Sequence, residues 1–278
     1  MDFLQGLNPQ QREAAAQVEG PLLILAGAGS GKTRVITHRI AHLIHEHRIP
    51  PQAILAVTFT NKASQEMRSR IENLLSKAGA SGSPGVSTFH SFCVRMLRRD
   101  GDRLADVRPG FTRQFTIYDD DDQLSIIKSI FKAFGLDEKF MQFRAALSRI
   151  SQAKNQKQTA QDFYRDTTDP KMSRLAVVFD KYEEALRRAN ALDFDDLLLE
   201  SVRLLRHDRE LREAYNRRLR FLMIDSIRIR TVPSTNWFGS CLKCIPTSSS
   251  SAMRTVDLRL ASISRTFSTL RKTIPKPS

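Results

Sequence analysis

The chain has 278 residues, enough to bury a sizeable core and to form two domains. Its composition is ordinary for a globular protein, and no apolar run approaches the roughly 20 residues of a membrane-spanning helix. Three cysteines without a framework spacing, and an N-terminus without a secretion pattern, predict a cytoplasmic protein. The net charge of +14 suggests a polyanionic partner, but residues 226–278 hold nine Lys or Arg against one acid. Nucleic-acid binding must therefore be argued from motifs.

Short apolar runs alternate with helical patterns in the first part of the chain. Residues 22–26 are apolar and lead through a Gly-rich turn into a long amphipathic helix. Residues 54–59 form a second apolar run, followed by a polar helix from about Asn61 to Lys77. A third short strand near Val86–Phe89 precedes another helix through Arg99. Strands and helices that alternate at these spacings predict βαβ units and a parallel sheet.

The pattern changes from about Asp119 to Leu205, where only helical periodicity is found and no strand is predicted. Residues 220–225, RFLMID, then return to the pattern of a buried strand that ends in an acid. We interpret this order as an α/β domain interrupted by a helical insertion.

A phosphate-binding loop is predicted at residues 26–33, AGAGSGKT, between a strand and a helix. Its glycines allow backbone N–H groups to point at phosphate oxygens, and the helix N-terminus adds partial positive charge. In such loops Lys32 reaches the β- and γ-phosphates and Thr33 holds Mg²⁺ through its hydroxyl. The alternative interpretation is a Gly-rich turn that binds nothing.

Six segments match, in order, the motifs of superfamily 1 DNA helicases of the UvrD/PcrA/Rep family. Residues 1–225 of the chain therefore resemble the front part of such a helicase. The matching segments are LNPQQREAA (7–15), AGAGSGKTR (26–34), TFTNKASQEM (58–67), STFHSFCVRMLRR (87–99), LDFDDLL (192–198) and RFLMID (220–225).

The resemblance implies a RecA-like first motor domain with an inserted all-helical subdomain, left incomplete on its C-terminal side. The expected layout is motor domain at 1–110, helical subdomain at 111–205, return strand at 206–225 and tail at 226–278.

The resemblance also implies a site for ATP and Mg²⁺. Gln11 falls at the position of the family's glutamine that contacts adenine. The expected catalytic residues are Lys32, Thr33 and Asp225. The expected metal ligands are Thr33 and Asp225. The expected ATP-contacting residues are Gln11, Ala26, Gly27, Ala28, Gly29, Ser30, Gly31, Lys32, Thr33 and Arg34.

Single-stranded DNA is the implied macromolecular partner, because the family's motifs Ia and Ib line its path. Hydroxyl, amide and ammonium groups in these segments can contact phosphates, and two aromatic rings can stack on bases. Without the resemblance, the aromatic residues would be interpreted as core and the lysine as solvated. The expected DNA-contacting residues are Phe59, Thr60, Asn61, Lys62, Thr88, Phe89 and His90.

Other clusters of metal-binding or acidic residue types have structural interpretations. His38, His42 and His45 share a helix face but lack the acidic partner of an HExxH site, which favours a solvated or packed face. The acids of Asp119–Asp122 and of LDFDDLL are interpreted as helix-start residues, the former before a helix beginning near Gln123.

The sequence after Asp225 does not continue the resemblance, since Ser226 stands where a glutamate is expected. Composition alone favours a disordered basic tail, with 18 Ser or Thr among the last 53 residues. However, residues 226–241 can be back-translated so that a start two bases later gives YQDTNRAQYELVRLL, the helicase sequence expected there. We interpret residues 226–278 as an out-of-frame translation, with a natural basic tail as the alternative.

The predicted function is an ATP-binding, DNA-contacting N-terminal fragment of an ATP-dependent 3′–5′ DNA helicase of replication or repair. Because the motif II glutamate, motif III and a second motor domain are not found, the chain is expected to be inactive as a motor. A stand-alone phosphate-loop enzyme such as a nucleotide kinase, and a non-functional pseudogene product, are the alternatives.

Overall fold

The computed structural model describes residues 2–20, 22–25, 27, 29–80, 82–165, 169–225 and the strand Arg271–Thr273. The chain divides into two compact units, which are described separately. Apart from the gaps just given, the described part of the second unit is Cys93–Asp208, and that of the first is residues 2–92, 209–225 and 271–273. None of the helices in these ranges has the length and hydrophobicity needed to cross a membrane.

The first unit is built on parallel strands connected through helices. Its elements in chain order are α1 (Pro9–Ala16), β1 (Leu23–Leu25), α2 (Lys32–His45), β2 (Ile54–Thr58), α3 (Asn61–Lys77), β3 (Gly85–Thr88), the start of α4 (Phe89–Asp100), α10 (Arg209–Arg218), β6 (Phe221–Ile224) and β7 (Arg271–Thr273). A 3-10 turn, Pro51–Ala53, leads into β2. This order confirms the α/β class predicted from the alternating pattern.

A three-stranded parallel sheet with the order β3–β2–β6 lies at the centre of this unit. Leu55 lies opposite Gly85 on one side of β2, and Ile54 lies opposite Phe221 on the other. All five residues of β2 are buried, which fits the continuous apolar run of a strand covered on both faces. The core beside the sheet combines apolar residues of α2, α3 and all three strands, among them Ile40, Met67, Ile71, Val86 and Met223.

The strand β1 pairs in parallel with β7, with Leu23 opposite Arg271. Arg271–Thr273 is thus a strand inside the segment 226–278, for which a disordered tail is predicted. Pairing at a strand edge uses backbone groups, so it does not require the side-chain pattern that the sequence prediction depended on. The rest of the predicted tail, including Cys241 and Cys244, lies outside the described residues.

The second unit is mainly helical. Its elements are the remainder of α4, a 3-10 turn (Gly101–Leu104), β4 (Thr116–Ile117), α5 (Asp120–Ala133), α6 (Phe143–Asn155), α7 (Ala160–Arg165), α8 (Pro170–Arg188), β5 (Ala191–Leu192) and α9 (Phe194–His207). Apolar faces of α5, α6 and α8 form its core, which includes Ile127, Phe131, Ile150, Phe179 and Tyr182.

Two details of the second unit differ from the sequence prediction. β5 lies within 119–205, where no strand was predicted, and it pairs in parallel with β4, with Ala191 opposite Thr116. Two-residue strands are too short to show alternation in sequence. In addition, α5 begins at Asp120 rather than near Gln123, because Asp119 caps it by accepting from the N–H groups of Asp121 and Asp122.

The acids of LDFDDLL begin a helix, as predicted. Asp193 is the N-cap of α9 and forms a capping box with Asp196. Both carboxylates also bind the buried ammonium of Lys154, at 2.6 and 2.8 Å, and Glu183 lies 2.7 Å from the same nitrogen. Burial lowers the pKa of Lys154, but the carboxylates of Asp196, Asp193 and Glu183 outweigh it and hold that pKa well above its usual value.

Candidate functional site

The Gly-rich loop ends at the N-terminus of α2, in the strand–loop–helix setting that phosphate binding needs. Gly29 and Gly31 have φ values of 77° and 83°, in the left-handed region that favours glycine. The N-cap position of this 14-residue helix is Gly31, which makes no side-chain cap bond, and the helix N-terminus there carries partial positive charge. Of the predicted loop residues, Ala26 and Ala28 lie outside the described part of the chain.

The carbonyl of Gly27 accepts hydrogen bonds from two polar side chains, those of Lys32 and Ser30. It accepts from Lys32 Nζ at 2.7 Å and from Ser30 Oγ at 2.7 Å. Lys32 therefore folds back over the loop with its ammonium close to the backbone that would surround a phosphate. A phosphoryl oxygen can replace this carbonyl as acceptor, since an ionised acceptor makes the stronger bond.

Thr33 and Asp225 are brought together from the two ends of the described α/β segment. The Thr33 hydroxyl donates to Asp225 Oδ2 at 2.7 Å, across 192 residues of sequence. Asp225 follows directly after β6, and its N–H donates to the Val57 carbonyl of β2, which fixes its position at the end of the sheet. Asp225 is only 6% exposed. A hydroxyl and a carboxylate at this separation are hard oxygen donors of the kind that Mg²⁺ prefers.

Gln11 contacts the loop through its side-chain amide. Its Nε2 donates to the Ser30 carbonyl at 3.0 Å, and a Cβ on Gly31 would lie 2.9 Å from the same nitrogen. On its other side, Gln11 forms a capping box with Asn8, whose N–H donates to Gln11 Oε1 at 3.2 Å. Arg34, the last of the predicted nucleotide-contacting residues, is exposed and donates to the Gly6 carbonyl at 3.0 Å.

The segment after β2 forms an exposed turn into α3. Phe59 is 55% exposed, although it follows a fully buried strand. Thr60 caps α3 by accepting from the Ala63 N–H, and Thr60, Asn61 and Lys62 are all exposed. Exposed polar and aromatic groups at a helix N-terminus can meet an extended polyanion.

The residues expected from the segment after β3 are less accessible. Thr88 is buried and its hydroxyl donates to Ser91 Oγ at 2.8 Å. Phe89 is only 5% exposed, so in this conformation its ring offers no face to a base. His90 is half-buried, and burial lowers its pKa, which favours the neutral imidazole at neutral pH.

The three helical histidines pack on neighbouring side chains and backbone. His38 Nδ1 lies 2.5 Å from the Phe3 carbonyl, the His45 ring meets the Phe3 ring edge-on, and His42 contacts His47 in the same way. Within the described residues, no group of three or more candidate ligands is placed to hold a metal ion.

Sequence reasoning missed two residues that shape this region. Asn8 was not singled out, although Asn three residues before Gln is the signature of a capping box. Arg39 was also missed, because an arginine within an amphipathic helix gives no sign that it will be buried. The structure leaves it 1% exposed.

A family model and individual known proteins both match this chain, and they indicate the same family. Residues 7–227 match the model of the UvrD/REP helicase N-terminal domain. The chain is 43% identical over 223 residues to the ATP-dependent DNA helicase PcrA of Staphylococcus epidermidis and, equally, to that of Staphylococcus aureus. The alignment covers 80% of this chain but only 30% of either relative.

Proposed function

The chain belongs to the UvrD/REP helicase N-terminal domain family, and from this premise we propose that it binds ATP with Mg²⁺ and contacts single-stranded DNA. In this proposal it represents the front part of an ATP-dependent 3′–5′ DNA helicase. The chain spans about 30% of the length of the curated relatives that it matches. The proposal also includes the RecA-like character of the first unit and the role of the second as an inserted helical subdomain.

The contact between Thr33 and Asp225 carries the nucleotide part of the proposal. Thr33 begins a helix at the end of the Gly-rich loop, whereas Asp225 ends a strand that lies far away in sequence. A threonine hydroxyl and a carboxylate beside a phosphate-binding loop support a metal-dependent role. In the proposed complex, both oxygens would hold Mg²⁺, which would offset phosphate charge, and Lys32 would neutralise a phosphate oxygen.

Adenine recognition is assigned to the carboxamide of Gln11. One of its N–H groups is engaged by Ser30, and its oxygen accepts one bond from the Asn8 N–H. A carboxamide has two donors and two acceptor lone pairs, so one of each remains. That combination matches the N6 amino group and N7 of adenine, whereas guanine presents two acceptors along the same edge.

Contact with single-stranded DNA is assigned to the exposed turn that begins at Phe59. Its ring can stack on a base of any sequence, and Lys62 can neutralise a neighbouring phosphate. Thr60 and Asn61 add groups that can bond phosphate oxygens. The buried hydroxyl of Thr88 and the buried ring of Phe89 require a local rearrangement before they can take part.

Motor activity is not proposed for this 278-residue chain. Ser226 follows Asp225 where the family resemblance expects a glutamate that activates the attacking water. A serine hydroxyl has no useful basicity near neutral pH, and a positioned general base typically contributes about 10²–10⁴-fold to rate.

Nucleotide binding is tested by titrating the purified chain with ATP-Mg²⁺ and comparing two variants. Lys32→Ala should weaken binding by about 1.5–3 kcal/mol, the usual range for a hydrogen bond to a charged group. The control is Lys77→Ala, which removes an exposed lysine in the last turn of α3. Equal titration curves for the two variants would exclude the phosphate-loop assignment.

A further inference from the structure

Arg39 is buried in the middle of α2, four residues beyond the first turn of that helix. It is 1% exposed, and burial lowers the pKa of its guanidinium to about 10. Charged side chains are almost never fully buried unless they meet a specific partner, because they lose their hydration. The burial of Arg39 therefore indicates a defined task.

The partner of Arg39 is the C-terminal end of α1. Its Nη1 donates to the Ala14 carbonyl at 2.9 Å, in a buried bond between α2 and α1. Ala14 lies in the last turn of α1, where carbonyl groups have no acceptor role within their own helix. No basic residue of α1 itself lies in that turn, so Arg39 supplies the positive charge that the helix dipole favours there.

The helix that Arg39 holds carries Gln11 one turn before Ala14. Gln11 Nε2 contacts the phosphate loop at the Ser30 carbonyl, only 3.0 Å away. A rotation or shift of α1 along α2 would thus move the carboxamide relative to the loop. Two further contacts hold the residues before α1 on α2, from Arg34 to the Gly6 carbonyl and from His38 to the Phe3 carbonyl. Both of these lie nearer the surface, so the bond from Arg39 is the buried one of the three.

We propose that Arg39 is a positioning residue for nucleobase selection, which fixes α1 on the phosphate-loop helix so that the Gln11 carboxamide faces adenine. The inference rests on the proposed nucleotide-binding function. It makes a specific distinction: the phosphate contacts come from the loop and the N-terminus of α2, and no group of α1 takes part in them. Loss of Arg39 therefore affects the choice of base more than the binding of phosphates.

The experiment measures the dissociation constants of ATP, GTP and inorganic triphosphate with Mg²⁺, using the full chain. The ratio of the GTP to the ATP constant reports adenine preference, and triphosphate reports the loop alone. Arg39→Met should lower this ratio about threefold or more, since one net hydrogen bond is typically worth about 2- to 10-fold. Gln11→Ala sets the value expected for complete loss, and triphosphate binding should stay within about twofold of the unaltered chain.

Arg68→Met is the matched control. Arg68 also donates to a backbone carbonyl within the first unit, to Val86 at 2.7 Å, but it lies on α3 and outside the site. It should leave the ratio unchanged even if it lowers stability, which separates positioning from a general structural role. A circular-dichroism melt establishes that each variant is folded, and if Arg39→Met is not, Arg39→Gln is scored by the same rule.

An adenine preference in the folded Arg39 variant equal to that of the unaltered chain would overturn the inference. Failure of the proposed function looks different. In that case the unaltered chain does not bind ATP, or binds it no better than the Lys32→Ala variant does. A chain that prefers adenine through Gln11 but is insensitive to Arg39 would retain its function and refute only the positioning role.

Discussion

Replacement of Lys154 by methionine tests the buried charge cluster of the second unit. The ammonium is bonded to Asp193 and Asp196, and its side chain is 4% exposed, as is that of Asp193. Methionine has a similar length but no charge, so the variant leaves buried carboxylates without their cation. Breaking a buried ion pair in this way typically costs about 3–5 kcal/mol. Against a domain stability of about 5–15 kcal/mol, this is a large fraction.

The measurement is urea-induced unfolding followed by circular dichroism, with Lys132→Met as the matched control. Lys132 is an exposed lysine in the last turn of α5, so its loss should change stability by less than about 0.5 kcal/mol. A triple variant with Asp193→Asn and Asp196→Asn added to Lys154→Met should regain a large part of the loss, because the unpaired charges are removed. Equal stability of the two single lysine variants would refute the reasoning.

The pH dependence of the loss has a definite sign. Burial raises the pKa of Asp196 to about 8, although Lys154 opposes the shift. A carboxyl whose pKa is higher in the folded than in the unfolded state loses stability as pH rises between the two values. Asp193 decides the difference between the two proteins: burial would raise its pKa, but Lys154 holds that pKa below its usual value. Without Lys154 the buried Asp193 costs stability as pH rises above its unfolded pKa, so the deficit of Lys154→Met should be smaller at pH 5 than at pH 8. A deficit that grows on acidification would contradict this explanation.

Three further predictions concern the proposed function. In a chain of residues 1–225, Phe59→Ala should weaken single-stranded DNA binding by about 1–3 kcal/mol. Each phosphate contact should add about 0.7 to the slope of the logarithm of the binding constant against the logarithm of salt concentration. An affinity unchanged by Phe59→Ala and Lys62→Ala together would exclude this DNA path. Ser226→Glu alone should leave ATP turnover near background in a phosphate-release assay. The expected inactivity of the unaltered chain would be disproved if DNA stimulated its ATP turnover and Lys32→Ala abolished that turnover. The coding DNA should contain an insertion or deletion near codon 226; stop codons, or an unrelated sequence, in the shifted frame would rule out the frameshift.

Much of the α/β segment could be predicted from sequence because its signals are local. β2 is a continuous apolar run, and β6 consists of four apolar residues before an acid. The helix α3 begins at Asn61 and ends at Lys77, as the sequence predicts. Each of these elements is long or distinctive enough to carry its own pattern. The capping role of Asp193 was predicted for the same reason.

The remaining features depend on tertiary contacts that no local pattern contains. Phe89 and Phe59 are both expected from sequence to contact DNA, but Phe89 is buried in the structure and Phe59 is exposed. The partners of Lys154 and Arg39 lie on other helices, at distances along the chain that vary without a motif. The contact of Thr33 with Asp225 was foreseen only through the family resemblance, since two residues 192 positions apart share no local signal.

The register of the central sheet also determines when it can form during synthesis. Ile54 of β2 pairs with Phe221 of β6, so one neighbour of β2 leaves the ribosome only after Cys93–Asp208 has been made. All helices described in the second unit precede β6 in the chain, so they can leave the ribosome and fold while β6 is still inside the exit tunnel. Until then one edge of β2 keeps unpaired backbone groups, a template for association with other strands. A ribosome arrested while β6 is still inside the exit tunnel would therefore carry a first unit in which one edge of β2 is unpaired.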